Sequence, residues 1–244
     1  MEIGEVLLVL VVVTLAFLVK GVTGLGGPPL VIPVIATFMG VEWAVAVVAI
    51  PAGLANFWLL WDNRTALSAV RPFMGALLAG GLVGTIVGVR ILLSVDDRIM
   101  SIVLGVLILL YIVWYLFNPE TSIDDRTARW LAWPAGLGGG VLLGTTGVAA
   151  PIIATYAHSL RLSRSEFVAA VSLPFVVLGL MQMVSLAAFG GYDRERILAG
   201  LIVCVPVLVV TPLGIRLGRR LSHQVFQYAV LAVLGLAAVR LLIG

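Results

Sequence analysis

Long apolar runs separated by short polar loops make up most of this chain. Six of the runs come close to the ~20 residues that a helix needs to cross a membrane. They are continuous rather than alternating, which predicts helices rather than strands. The six predicted spans are Trp43–Trp61, Pro72–Leu93, Ile99–Phe117, Phe167–Phe189, Ile197–Ile215 and Val225–Ile243.

Two further apolar runs end in stretches that cannot continue a helix. Val6–Val19 leads into Gly21–Pro29, with the sequence GVTGLGGPP, and Trp130–Leu143 leads into Gly144–Pro151, with the sequence GTTGVAAP. Glycine costs backbone entropy, and proline removes an amide donor and blocks the preceding turn. Because irregular backbone is not tolerated against lipid, both breaks are predicted to be buried beside a binding site, as in transporters with broken helices.

The two halves of the chain repeat one another. Residues of the first break recur 123 positions later, and residues of the Pro72–Leu93 span recur 126 positions later. The matched pairs are Gly21 and Gly144, Thr23 and Thr146, Gly24 and Gly147, Pro28 and Pro151, Thr85 and Thr211, Gly88 and Gly214, and Arg90 and Arg216. The sequence therefore predicts a first transmembrane repeat over 1–117, a polar linker over 118–129 and a second repeat over 130–244.

The distribution of arginines among the loops indicates whether the two repeats are parallel or inverted in the membrane. If each broken segment returns to its own side, each half crosses three times and the repeats are inverted. Nine arginines then lie on one side and five on the other, in agreement with the positive-inside rule. The nine are Arg64, Arg71, Arg126, Arg129, Arg161, Arg164, Arg216, Arg219 and Arg220, and the five are Arg90, Arg98, Arg194, Arg196 and Arg240. If the broken segments span, the repeats are parallel; the charge pattern favours the inverted arrangement.

Composition agrees with a membrane location. The chain is 61% hydrophobic and 11% charged, whereas a soluble domain has roughly 25% charged residues. The predicted fold class is an all-α integral membrane protein with two inverted repeats, each a broken or re-entrant helix plus three transmembrane helices, about eight apolar segments in all. We expect a multi-pass protein of the cell inner (plasma) membrane, in contact with the lipid bilayer. No nucleic-acid partner is expected, because the basic residues lie in short loops; the sequence leaves a homodimer open.

The break motifs resemble a known family. A first break of the form Gly-x-Thr-Gly-x-Gly-Gly-Pro-Pro-Leu at Gly21–Leu30, its echo at Gly144–Pro151 and about eight apolar segments resemble the TauE/SafE family of sulfite and organosulfonate exporters. The second copy departs from the pattern, with Ala149-Ala150 where the first has Gly26-Gly27. The resemblance covers nearly the whole chain and implies a secondary transporter that moves small sulfur-containing or carboxylate anions, mostly outward. It does not fix the substrate.

The breaks predict an anion site. Helix pieces that begin near Pro28 and Pro151 carry partial positive charge at their N-termini, where proline is well suited. Two such N-termini meeting at mid-membrane would attract an anion, and glycines would let it approach the backbone. The alternative is that the glycines only allow close helix crossing. The predicted substrate-binding residues are Lys20, Thr23, Gly24, Gly26, Gly27, Pro28, Asn56, Thr145, Thr146, Gly147, Pro151 and Gln182.

Three of these residues are polar side chains within apolar runs. Lys20 is the only lysine of the chain and directly precedes the first break. It either neutralises an anionic substrate or snorkels to the membrane surface. Asn56 and Gln182 either face the pocket or hold helices together. Gly80, Gly84 and Gly88, spaced four apart, predict close helix packing rather than a site.

Several function classes lack their usual residues. No Gly-Lys-Thr or Gly-Lys-Ser phosphate loop is present, and no nucleophile with a base or group of metal ligands lies at membrane depth. We therefore expect neither an enzyme nor a cofactor or metal. No Asp or Glu lies in the middle of a span, where proton relays commonly have one. The leading hypothesis is an exporter driven by the membrane potential; an uptake permease for a related anion is the alternative.

Overall fold

A computed structural model describes residues 3–117, 124–160 and 162–218 of the chain. Within these ranges the chain forms nine α-helices, one short 3₁₀ helix at Arg64–Ala66 and no strand. The helices are α1 Ile3–Thr23, α2 Pro28–Met39, α3 Val41–Asp62, α4 Leu67–Ser94, α5 Asp97–Phe117, α6 Asp125–Thr146, α7 Ala150–Ser159, α8 Arg164–Ala188 and α9 Arg194–Gly218. The predicted span Val225–Ile243, residues 118–123 of the predicted linker, and Arg161, Arg219, Arg220 and Arg240 lie outside the described residues.

Four of the described helices, α3, α4, α8 and α9, are long and apolar enough to cross a membrane. Residues Leu8–Thr23 of α1 and all of α2 form shorter apolar helices. The described part of the chain is therefore all-helical and consistent with the predicted membrane protein. Pro51, Pro72, Pro174, Pro206 and Pro212 all lie inside helices, so single prolines did not end these spans.

Two helices begin earlier than their apolar runs suggest, because a side chain caps each start. The carboxylate of Asp124 accepts hydrogen bonds from the backbone N–H of Arg126 and Thr127 at 3.1 and 3.2 Å. This cap starts α6 at Asp125, inside the polar segment predicted as a linker. Ser163 and Glu166 form a capping box at the start of α8, which satisfies two amide donors at once.

Different helices begin at the two ends of the bundle, which we call the Glu42 face and the Arg164 face after one residue at each end. The Glu42 face holds the starts of α3, α5 and α9: Arg196 forms an ion pair with Glu42 at 2.5 Å, and the Val41 N–H donates to Asp97 at 2.7 Å. The Arg164 face holds the starts of α4, α6 and α8. The hydroxyl of Tyr156, near the end of α7, donates to the Ala128 carbonyl near the start of α6 at 3.0 Å.

Glycines bring two pairs of helices into backbone contact. A Cβ atom on Gly80 of α4 would overlap the Trp133 carbonyl of α6, and one on Gly88 would overlap the Val141 carbonyl. The later residue of α4 contacts the later residue of α6, so the two helices run in the same direction. Gly21 of α1 meets Thr211 of α9 in the same way. The prediction that the glycine stripe serves close helix packing is confirmed.

The central helices α3 and α8 pack against each other and run in opposite directions. The Tyr192 hydroxyl, just past the end of α8, donates to the Ala46 carbonyl near the start of α3 at 3.1 Å. This antiparallel pair forms the wall against which both helix breaks lie.

Replacing Asp97 with alanine is expected to lower the free energy of unfolding by about 1–2 kcal/mol, because the Val41 N–H at the start of α3 loses its acceptor. For a chain of this size that corresponds to a fall of a few degrees in unfolding temperature. Thermal unfolding of the detergent-purified protein measures the change. Asp97→Asn keeps an acceptor oxygen and is the control; an alanine variant as stable as the wild type would contradict the capping role.

Candidate functional site

A cavity lies between the two helix breaks and the antiparallel pair α3 and α8. It contains about 510 Å³ of empty space, its mouth included. The residues that line it from α3 and α8 lie around the middle of each helix, so the cavity is central in the bundle. Its lining consists of Lys20, Gly26, Pro28, Pro29, Ile32, Val45, Val48, Ala49, Ala52, Gly53, Asn56, Leu143, Gly147, Val148, Ala149, Ala150, Phe175, Gly179 and Gln182.

The first break depends on glycine at three positions. Helix α1 ends at Thr23 and α2 begins at Pro28. Between them Gly24, Gly26 and Gly27 have φ angles of 81°, 98° and 74°, a region that strains any residue with a side chain. The Lys20 side chain lies against this turn, since a Cβ atom on Gly27 would be 3.0 Å from Lys20 Cδ.

The second break uses a different backbone path. Gly147 has φ 69° and closes the end of α6, donating its N–H to the Leu143 carbonyl at 2.9 Å. Ala149 has φ −104° and ψ −1°, which an alanine adopts without strain. The Ala149-Ala150 pair is therefore compatible with the second break, although the matched Gly26-Gly27 pair is required by the first.

The threonine hydroxyls stabilise the breaks and do not line the cavity. Thr23 donates to the Leu25 carbonyl at 2.6 Å and accepts from the Leu25 N–H at 3.0 Å. Thr145 donates to the Val141 carbonyl and Thr146 to the Leu142 carbonyl, each at 2.8 Å. These three side chains were predicted to contact the substrate; in this structure their hydroxyl protons are used on backbone carbonyls.

Backbone amides at the two breaks remain as donors. Among the described residues, no hydrogen bond is formed by the N–H groups of Gly26, Gly27, Ala149 or Ala150. Three of these four residues line the cavity. Proline occupies the first two positions of α2, so the donors of Gly26 and Gly27 lie just before that helix, whereas Ala150 is the first residue of α7. This refines the expectation that helix N-termini attract the anion.

Lys20 is the charged group of the cavity. Its side chain is 2% exposed, and its Nζ lies 5.4 Å from the centre of the Phe175 ring, within the range of a cation–π contact. No Asp or Glu lines the cavity among the described residues, and none of them forms an ion pair with Lys20. Lys20 is therefore buried rather than snorkelling to the membrane surface, and the cavity contains a basic side chain with no carboxylate partner in the part of the chain that the structure describes.

Two buried amides line the cavity with different roles. Gln182 donates from Nε2 to the Leu143 carbonyl at 2.6 Å, so it joins α8 to the end of α6 as well as lining the cavity. Asn56, which is 4% exposed, has an Oδ1 atom with no hydrogen-bond partner among the described residues.

Most of the chain matches the model of a known protein family. A family model described as "Sulfite exporter TauE/SafE" matches residues 9–241. The chain belongs to the TauE/SafE family. The family that the sequence suggested is thereby confirmed. No curated protein and no solved structure gave a match.

TauE/SafE membership makes the chain a multi-pass membrane protein from a family of transporters for sulfite- and sulfonate-type anions. A transporter family is consistent with the expectation that the protein is not an enzyme. The family match does not reach the level of single residues, so the roles of the cavity residues rest on the geometry given above.

In this TauE/SafE protein the cavity brings together half of the predicted site residues. Those that line it are Lys20, Gly26, Pro28, Asn56, Gly147 and Gln182. Those that do not line it are Thr23, Gly24, Gly27, Thr145, Thr146 and Pro151. Gly24 instead packs against Val168, with 3.1 Å from its ideal Cβ position to a Val168 methyl group.

Sequence reasoning missed Phe175 and Gly179 as cavity residues. Both are 123 positions after other lining residues, Ala52 and Asn56. Applying the repeat offset to every predicted site residue would have found Gly179. Phe175 carries no polar group, so nothing in the sequence distinguishes it from the other apolar residues of its span.

Proposed function

We propose that this protein is a secondary transporter that exports a small sulfite- or sulfonate-type anion across the cell inner membrane by alternating access around its two broken helices. The observation that carries the proposal is the central cavity, lined by one lysine and by no carboxylate among the described residues. A small anion is the ligand that this lining would attract.

The electrostatic reason is the cost of a buried, unpaired charge. An ammonium group surrounded by apolar side chains loses its hydration, and a counter-ion within hydrogen-bond distance compensates that loss. In this proposal the substrate is the counter-ion of Lys20, while the free N–H groups of Gly26, Ala149 and Ala150 donate to its oxygens. A sulfonate or sulfite group has three oxygens and so can accept several such bonds.

Alternating access is proposed from the matched packing of the two halves. Gly21 packs against Thr211 and Gly214 of α9, and the matched Gly144 packs against Thr85 and Gly88 of α4. The opposite directions of α3 and α8 and the return of α7 to the start of α6 support inverted repeats with re-entrant breaks. In transporters built this way, one repeat rocks against the other around a fixed central site.

Outward transport is proposed from the driving force. An anion leaving a cell with a negative interior gains about 2.3 kcal/mol per charge per 100 mV. No cavity carboxylate is present among the described residues to carry a coupling proton.

Purified protein in liposomes loaded with ethanesulfonate, whose charge is constant near neutral pH, tests this function. We expect efflux to rise when a potassium gradient with valinomycin makes the interior negative, and to be unaffected by a pH gradient. Protein-free liposomes give the leak rate. Efflux that ignores the potential but follows the pH gradient would count against uncoupled export, and no protein-dependent flux of sulfite or any sulfonate would reject the proposed function.

A further inference from the structure

Asn56 differs from the other polar side chains that line the cavity in having a buried acceptor atom without a hydrogen-bond partner among the described residues. Its Oδ1 is buried without a hydrogen-bond partner among the described residues, which costs roughly 1–3 kcal/mol in a folded protein. One N–H of the Gln182 amide donates to the Leu143 carbonyl, and neither N–H bonds to Asn56 Oδ1. The position matched to Asn56 in the second half is Gly179, which also lines the cavity and has no side chain that could donate.

We propose that Asn56 selects anions that carry a hydrogen-bond donor: the bound substrate is a monoanion with one O–H or N–H group, which donates to Asn56 Oδ1 while its anionic oxygens face Lys20 and the free backbone amides. This inference rests on the proposed function, because it assigns the substrate class of the same cavity. Hydrogen sulfite in its O–H form and hydroxy- or amino-substituted sulfonates share this chemistry.

The charges of the cavity support a monoanion. Lys20 is the one charged side chain that lines the cavity among the described residues, so a single negative charge is balanced and a second one is not. A sulfite or sulfate dianion has only acceptor oxygens, and one of them would face the Asn56 carbonyl oxygen. Buried polar groups left unpaired by a ligand are the main reason that binding sites reject analogues lacking a donor.

The test compares two ligands that differ by one hydroxyl group. Hydroxymethanesulfonate and methanesulfonate have the same charge and nearly the same size, and their binding to the detergent-purified wild-type protein is measured by calorimetry. We expect hydroxymethanesulfonate to bind roughly 10- to 100-fold more tightly. Equal affinities would overturn the role of Asn56 and leave the proposed function standing. If neither these two ligands nor sulfite binds, the proposed function itself fails.

A second experiment uses sulfite, because hydrogen sulfite loses its proton near neutral pH and so loses the hydrogen-bond donor. Raising the pH converts the donor-bearing monoanion to the dianion, so we expect the affinity for total sulfite to fall with the fraction of hydrogen sulfite. Methanesulfonate, which stays a monoanion, corrects for any change in the charge of the protein over the same range. Sulfite affinity that parallels methanesulfonate affinity, or that rises with pH, would contradict the inference.

Variants separate recognition from folding. Asn56→Leu is expected to bind hydroxymethanesulfonate and methanesulfonate equally well, with an unfolding temperature without ligand that is unchanged or higher, since an unpaired polar atom is removed. Ser172→Ala is the matched control: Ser172 is a buried residue of α8 whose Oγ also lacks a partner among the described residues, but it does not line the cavity. It should keep the preference for the hydroxyl-bearing ligand. A preference that survives Asn56→Leu, or that is lost in Ser172→Ala, would overturn the proposal.

Discussion

Replacement of Lys20 by methionine is expected to abolish anion transport and to weaken the binding of every anion, with or without a donor group. Removing one partner of a buried, hydrogen-bonded charge pair costs about 2 kcal/mol or more, roughly a 30-fold loss of affinity. The protein should still fold, because methionine fills the space of the lysine stem and an unpaired cation is removed from apolar surroundings. Binding by calorimetry and efflux from proteoliposomes measure the two effects.

Two further variants make this result specific. Lys20→Arg keeps the positive charge beside Phe175 and should retain part of the activity. The double variant Lys20→Leu with Leu143→Lys moves the charge to the matched position of the second half, which also lines the cavity. We expect it to recover measurable anion binding that Lys20→Leu alone lacks. Undiminished transport by Lys20→Met would remove this residue from the site.

Gly84→Ala is expected to destabilise the protein more than any other single methyl addition in α4. A Cβ atom at this position would overlap the Leu137 carbonyl and lie 2.9 Å from the Val141 backbone nitrogen, so α4 and α6 must move apart. Overpacking of this kind costs about 1–3 kcal/mol, which lowers the unfolding temperature by several degrees and reduces the yield of folded protein.

Gly75→Ala is the matched control for that variant. Gly75 lies in the same helix, is exposed and has no atom within 4 Å of its ideal Cβ position. Alanine there should leave the unfolding temperature unchanged or slightly raised, because alanine has the higher helix propensity. Equal unfolding temperatures for the two variants would show that α4 and α6 are not held in backbone contact.

The parts of the fold that depend on local chemistry could be predicted from the sequence. Both breaks fall where glycine and proline remove helical hydrogen bonds. The sequence left the burial of Lys20 open, because a lysine beside an apolar run can also snorkel to the membrane surface. Helices α6 and α8 begin a few residues before their apolar runs, although Asp124 and the Ser163–Glu166 pair are recognisable caps. Apolar runs alone do not show where these helices begin.

Tertiary contacts limited the prediction of the cavity itself. Whether a threonine beside a break faces a ligand or a backbone carbonyl depends on its rotamer, and Thr23, Thr145 and Thr146 all donate to carbonyls within their own segments. The pairing of α4 with α6 joins residues of different halves and has no local signal. The substrate roles of Lys20, Asn56 and Gln182 stay predictions until binding is measured.

The single lysine of the cavity has a consequence for how voltage enters the transport cycle. With Lys20 protonated, the empty carrier has one positive charge at its centre, whereas the carrier loaded with a monoanion has none. Reorientation of the loaded carrier would move no net charge through the membrane field. The potential would instead act on the empty carrier, whose cationic site a negative interior draws back toward the cytoplasm. Each cycle would still export one negative charge, but its voltage dependence would reside in the half-cycle without substrate.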